Sequence, residues 1–152
     1  AILQVETNTM IPPPFKFVRA YDREEQLGEQ RHKQLATTSC SLSYAVESFG
    51  LRGYELLFYG YDTLWIRRDL VPLYERAWGQ RFPKDEFECY RRGIVHSANL
   101  PPRMVREWFF RANDPFDLEQ TYYLIVDNLT RLSKEDGFTL KTARLYAPDE
   151  VR

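Results

Sequence analysis

Residues 83–132 read PKDEFECYRRGIVHSANLPPRMVREWFFRANDPFDLEQTYYLIVDNLTRL and decide the predicted fold. Apolar residues recur here at helical spacing, and prolines mark the points where one helix stops and the next begins. Pro83 opens the first helix, Pro101-Pro102 opens the second, and a third runs from about residue 116 to residue 132. This stretch therefore predicts three short amphipathic helices joined by tight turns.

Upstream segments extend the helical prediction. Residues 22–36 and 38–49 are helix candidates, and Asp69 can cap a helix that ends at Gly79. The apolar face of that last helix comprises Leu70, Leu73, Tyr74, Ala77 and Trp78. Residues 56–59 fit a short strand or a helical turn equally well. With short connections, successive helices pack antiparallel, so we expect a mainly α fold of antiparallel helical hairpins forming a small α-superhelix.

The first residues differ from this pattern. Pro12, Pro13 and Pro14 remove three backbone donors and, with Phe15, favour an extended N-terminal arm. Such an arm is either disordered or lies across a neighbouring protein, and its apolar residues favour the neighbour. We therefore divide the chain into a partner-binding extension of residues 1–66 and a helical domain of residues 67–152.

Composition excludes several function classes. The formal net charge of the 152 residues is -1, so no overall field gathers nucleic acid or an anionic membrane surface. No run approaches the roughly 18 to 20 apolar residues that span a bilayer. Aromatic residues make up 15% of the chain, a richness that suits either a protein interface or an aromatic core.

No constellation of reactive groups is visible in the sequence. Cys40, Cys89, His32 and His96 lack the paired spacing of a metal site. There is no glycine-rich phosphate loop and no nucleophile elbow. Acidic residues at 85, 86 and 88 fall in the first turn of a helix, where negative charge is favoured electrostatically. We expect no catalytic residue, no metal and no cofactor.

Arginines give the middle of the chain local positive character. Arg91, Arg92 and Arg111 are the candidates for contact with an acidic partner surface, although acidic residues are interleaved among them and a solvated helix face is the simpler interpretation. Arginines on paired helices could also follow a nucleic-acid backbone. A helical-repeat RNA-binding or mitoribosomal protein is accordingly the alternative function.

The segment from Leu70 to Leu132 resembles subunit Va of cytochrome c oxidase, called subunit 6 in yeasts. The similar stretches are Phe82-Pro83, the run from Phe87 to Gly93, Leu100-Pro101-Pro102, and Arg111 to Asp114 followed by Phe116. Residues 1–66 have no counterpart, and Pro115 interrupts the family's Asn-Asp-Phe run.

The resemblance implies an α-helical subunit without haem or copper, docked on the matrix side of the mitochondrial inner membrane and peripheral to it. Its partners would be the other cytochrome c oxidase subunits in a large hetero-oligomer, with no nucleic acid. We therefore expect a non-catalytic accessory subunit of the respiratory oxidase.

Overall fold

The prediction of a mainly α fold is wrong, because the chain forms antiparallel sheets as well as helices. A computed structural model describes residues 2–9, 11–19, 39–60, 62–81, 85–94, 122–123, 125–127, 129–131 and 143–146. The strands are β1 (Ile2–Glu6), β2 (Phe17–Arg19), β3 (Tyr54–Tyr59), β4 (Asp62–Arg67) and β5 (Ala143–Leu145). Among these residues, the helices described from end to end are α1 (Leu42–Gly50), α2 (Val71–Trp78) and α3 (Glu86–Ile94), and one turn of 3-10 helix, Arg68–Leu70, leads into α2.

A three-stranded antiparallel sheet, in the order β1-β4-β3, organises the fold. Strands β3 and β4 form a hairpin, and β1 pairs with β4 from Ile2 opposite Ile66 to Glu6 opposite Asp62. Val5 is thus paired with a residue 58 positions away along the chain. A second sheet pairs β2 with β5. The prediction of an extended N-terminal arm is therefore wrong too, because β1 and β2 are both paired in sheets.

The main core lies on one face of the three-stranded sheet, which we call the inner face. Leu42 and Ala45 of α1 and Cys89 and Tyr90 of α3 pack there against Trp65, and Tyr59 completes the buried cluster. The ring of Phe49 lies 4.8 Å from that of Trp65, and the rings of Tyr59 and Tyr90 stack at 5.2 Å. Residues on both sides of the predicted domain boundary at 66/67 therefore share one core.

The opposite, outer face of the sheet is covered by α2. Leu57, Ile66 and Val71 are buried together there, and Leu64, Leu70 and Tyr74 pack around them while remaining partly exposed. Leu57 follows the inward-facing Leu56 and therefore points to this outer face. The strand pairing shifts by one residue between Leu56 and Phe58, and this β-bulge in β3 sets Phe58 opposite Leu64.

The sequence-based helix predictions differ in outcome. Helices α1, α2 and α3 confirm the predictions over 38–49, 69–79 and the segment after Pro83, and Gly79 ends α2 with a φ of 68°. Described residues between 122 and 131 are helical, as expected for the last helix. The predicted helices over 22–36 and over about 102–112 lie outside the described residues.

Ser41 joins the proline-rich segment to α1. Its hydroxyl donates to the carbonyl oxygen of Phe15 at 2.8 Å and accepts from the backbone N–H groups of Phe17, at 2.9 Å, and Tyr44, at 3.4 Å. Ser41 is fully buried, so water cannot replace these bonds.

We expect Ser41→Ala to lower the free energy of unfolding by about 2 kcal/mol, because it leaves buried backbone groups unpaired and removes a helix cap. Urea denaturation followed by tryptophan fluorescence measures this change. Ser48→Ala is the control, because the Ser48 side chain lies within the same helix and is not fully buried; it should shift stability by less than about 0.5 kcal/mol. Equal effects of the two variants would contradict the assigned role.

Candidate docking cleft

A cleft of about 240 Å³ opens beside β3, the strand at one edge of the three-stranded sheet. Val46 and Gly50 of α1 line one side and Val71 and Tyr74 of α2 line the other. The strand residues along the cleft are Tyr54, Glu55, Leu56, Leu57, Trp65 and Ile66. Its volume lies below the about 300 to 1,000 Å³ typical of small-molecule pockets and suits one or two apolar side chains.

The charges that line the cleft neutralise each other. Arg68 Nε lies 3.1 Å from a carboxylate oxygen of Glu55, and Arg68 Nη2 donates to the carbonyl oxygen of Gly50 at 3.2 Å. Nearby, Arg67 forms two hydrogen bonds with Asp69, and this pairing lowers the pKa of the Asp69 carboxyl. An occupant of the cleft therefore meets apolar side chains and a compensated ion pair rather than a free charge.

Helix α2, which lines one side of the cleft, also carries apolar side chains into solvent. Trp78 is 64% exposed and Leu73 is 58% exposed, although the sequence places both on the apolar face of this helix. The ring of Trp78 stacks on that of Tyr74 at 5.7 Å with an interplanar angle of 12°, and Tyr74 itself lines the cleft. We call Leu73, Tyr74 and Trp78 the α2 apolar surface.

The outer face of the sheet carries two further exposed apolar side chains, Ile2 at 56% and Phe58 at 54%. Single exposed apolar residues are ordinary, but several on one side of a molecule are typical of an interaction surface. This combination of cleft and exposed aromatic side chains is suited to binding another polypeptide.

The proline-rich residues predicted to bind a partner pack inside the chain. Pro12, Pro13 and Phe15 are fully buried, while Pro14 is partly exposed. Phe15 shares a cluster with Ile11, Phe17, Ile125 and Leu129.

Two of the three predicted arginines lie at the surface of α3. Arg92 pairs with Glu88 one turn earlier, and Arg91 Nε donates to the carbonyl oxygen of Phe87 at 3.5 Å. Arg111 lies outside the described residues. The partner role of these arginines stays a prediction, and the two described ones lie on α3, which contributes no residue to the cleft.

The thiol of Cys89 is buried and that of Cys40 is partly buried. Burial raises the pKa of Cys89 to about 11, and it also raises the pKa of Cys40. No group of three or more His, Cys, Asp or Glu side chains in the described part of the chain is placed to hold a metal ion. Within those same ranges, no helix combines the length and apolarity needed to cross a membrane.

Glu86 is a partly buried carboxyl whose surroundings shift its pKa. Burial raises its pKa above the ordinary value of 4.5, and the 3.0 Å hydrogen bond that Ser43 donates to it opposes this rise. The folded chain therefore keeps this proton to higher pH than the unfolded chain does. The contribution of Glu86 to stability is therefore largest below the pKa that Glu86 has in the unfolded chain. It falls as pH rises through the higher pKa that Glu86 has in the folded chain.

We expect Glu86→Gln to gain stability relative to the unsubstituted chain as pH rises from about 4 to about 7, since the amide carries no charge to bury. Urea denaturation midpoints of both proteins across that range measure the difference. A stability difference that stays constant with pH, or that shrinks as pH rises, would contradict the buried-carboxyl assignment.

No protein-family model, curated protein or solved structure matched the chain when it was compared with each. The candidate site therefore depends on the geometry of the chain itself.

The cleft was not predicted from the sequence, although the sequence does show one of the apolar helix faces that line it. The apolar stripe on α2 was visible, but a stripe does not show whether it meets the chain's own core or another protein. The edge position of β3 depends on its pairing with β4 and on the distant β1, which no local pattern reveals.

Proposed function

We propose that this chain is a non-catalytic interaction subunit that binds a partner protein through the cleft beside β3 and the α2 apolar surface. The observation that supports it is the exposure of Trp78, which stacks on the cleft-lining Tyr74, together with the exposure of Leu73 on the same helix. Tryptophan is enriched among the residues that dominate binding energy at protein interfaces. Burying each of these side chains contributes about 2 kcal/mol to binding.

The specific form of the proposal is an accessory subunit of mitochondrial cytochrome c oxidase. It rests on the resemblance of the segment 70–132 to subunit Va. The mixed α/β architecture departs from the helical superhelix that this resemblance implies. The partners would be other oxidase subunits.

The alternative of a helical-repeat RNA-binding protein has less support. It requires stacked antiparallel helix pairs, whereas the described residues place α1, α2 and α3 around a sheet.

We expect Trp78→Ser to weaken partner binding roughly thirtyfold, which corresponds to about 2 kcal/mol. The measurement is native mass spectrometry of the tagged full-length chain purified from its host cells, with the stoichiometry of the complex as the readout. Tyr123→Ser is the matched control, because Tyr123 is 61% exposed and is not among the residues that line the cleft. It should leave the complex intact.

Two results would contradict the proposal. One is a chain that is isolated without a stoichiometric protein partner, and the other is a complex that is equally sensitive to both substitutions. For the oxidase assignment, the complex must contain haem a and the large oxidase subunits. A stoichiometric complex without them would contradict the oxidase assignment but would still support the role as an interaction subunit.

A further inference from the structure

The backbone of β3 carries hydrogen-bonding groups that point away from the sheet. The N–H of Arg68 donates to the carbonyl oxygen of Gly53 at 2.8 Å, which makes these two residues a hydrogen-bonded pair. In an antiparallel ladder such pairs alternate with non-bonded ones. Following the register, Glu55 bonds to Ile66, whereas Tyr54 and Leu56 direct their N–H and C=O groups outward.

These outward groups lie along the cleft. Tyr54 and Leu56 both line it, and no hydrogen bond joins their outward backbone groups to any residue that the structure describes. An edge strand of this kind is a template for another extended segment. A helix cannot satisfy these groups, because its own N–H and C=O groups are already bonded to one another.

The surroundings limit what kind of segment fits. Helix α1 and helix α2 stand on opposite sides of the cleft, so the space beside β3 is a slot rather than an open surface. The apolar lining and the neutralised Glu55–Arg68 pair favour uncharged side chains in the slot. The β-bulge after Leu56 ends the regular pairing edge, so the complementary stretch is short.

We propose that the occupant of the cleft is an extended segment of the partner protein that adds to β3 as a strand. It pairs with the outward backbone groups of Tyr54 and Leu56, and its successive apolar side chains point in turn toward α1 and toward α2. This mode draws affinity from main-chain hydrogen bonds and specificity from the side-chain pockets. The inference rests on the proposed function and names the chemistry of its partner.

The test uses the full chain and a displayed library of random 12-residue peptides. We expect the enriched peptides to carry a short run of consecutive apolar residues, the pattern of a strand that is covered on both faces. When the most strongly enriched peptide is synthesised and bound at saturation, amide hydrogen exchange at Tyr54 and Leu56 should slow at least about tenfold. The Glu55 amide is the internal control, because it already bonds to β4 and should not change.

Leu56→Pro removes one outward N–H without breaking a bond to β4, and it should weaken peptide binding at least about tenfold. Leu56→Val keeps the N–H and a side chain of similar size, and should bind within about threefold of the unsubstituted chain. If Leu56→Pro fails to fold, the exchange measurement on the unsubstituted chain decides alone.

Three outcomes would overturn the proposal. The first is a selection that enriches no peptide, and the second is a bound peptide that leaves the amides of Tyr54 and Leu56 unprotected. The third is protection of these amides that rises with protein concentration in the absence of peptide, which would show pairing between copies of this chain. If the Trp78-dependent complex forms while these amides stay unprotected in it, the strand proposal fails and the proposed function stands. If peptide protection is observed but the chain has no stoichiometric partner, the proposed function fails alone.

Discussion

Replacing Trp65 by alanine is expected to lower the free energy of unfolding by about 4 kcal/mol. Trp65 is 1% exposed, and its ring packs against Phe49 of α1. Its indole N–H donates to the hydroxyl of Thr63 at 2.8 Å. Truncation leaves a cavity between the sheet and α1 and takes a hydrogen-bond donor from a buried hydroxyl.

The control for this prediction is the same substitution at Trp78. Because Trp78 is 64% exposed, Trp78→Ala should change the stability of the isolated chain by less than about 0.5 kcal/mol. Urea denaturation measured by circular dichroism compares the two variants without relying on either tryptophan as a probe. Similar losses for both would contradict the assignment of one tryptophan to the core and the other to an interaction surface.

Gly93→Ala is expected to cost about 3 kcal/mol. A β-carbon at this position would lie 2.3 Å from the carbonyl oxygen of Tyr59 and 2.2 Å from an atom of its ring. Because the clash is partly with backbone, a side-chain rotation cannot relieve it. Helix α3 would have to move away from β3, which would open the core around Tyr59 and Tyr90.

Gly50→Ala is the matched control for Gly93→Ala. Both glycines lie in helices, but a β-carbon at Gly50 meets nothing within 4 Å. Alanine is the better helix former by up to about 1 kcal/mol, so Gly50→Ala should be neutral or stabilising. Thermal denaturation of both variants measures the difference. A Gly93→Ala protein as stable as the Gly50→Ala protein would contradict the close packing of α3 on β3.

Local patterns predicted the helices but not the sheets. The apolar spacing of α1 and α2 and the glycine that ends α2 are readable within ten or so residues. Strand β1 carries only five residues, and its pairing partner β4 lies far along the chain. The proline-rich stretch looks extended, yet burial of Phe15 and the bonds of Ser41 place it inside the fold.

The candidate site was harder to predict than the helices. Leu73 and Trp78 belong to an apolar stripe, and a stripe is normally interpreted as a core-facing surface. In the structure, α2 buries Val71 and leaves both of these residues exposed. The edge status of β3 and the outward direction of its backbone follow from strand register, which depends on contacts distant in sequence.

Site-specific photo-crosslinking tests most directly the claim that the α2 apolar surface binds a partner. The photoreactive amino acid p-benzoylphenylalanine would replace Leu73 in one variant and, as the control, Tyr123 in another, each expressed in host cells and irradiated. We expect one covalent adduct of defined mass from position 73 and none from position 123. Adducts from neither position, or equal adducts from both, would contradict this claim.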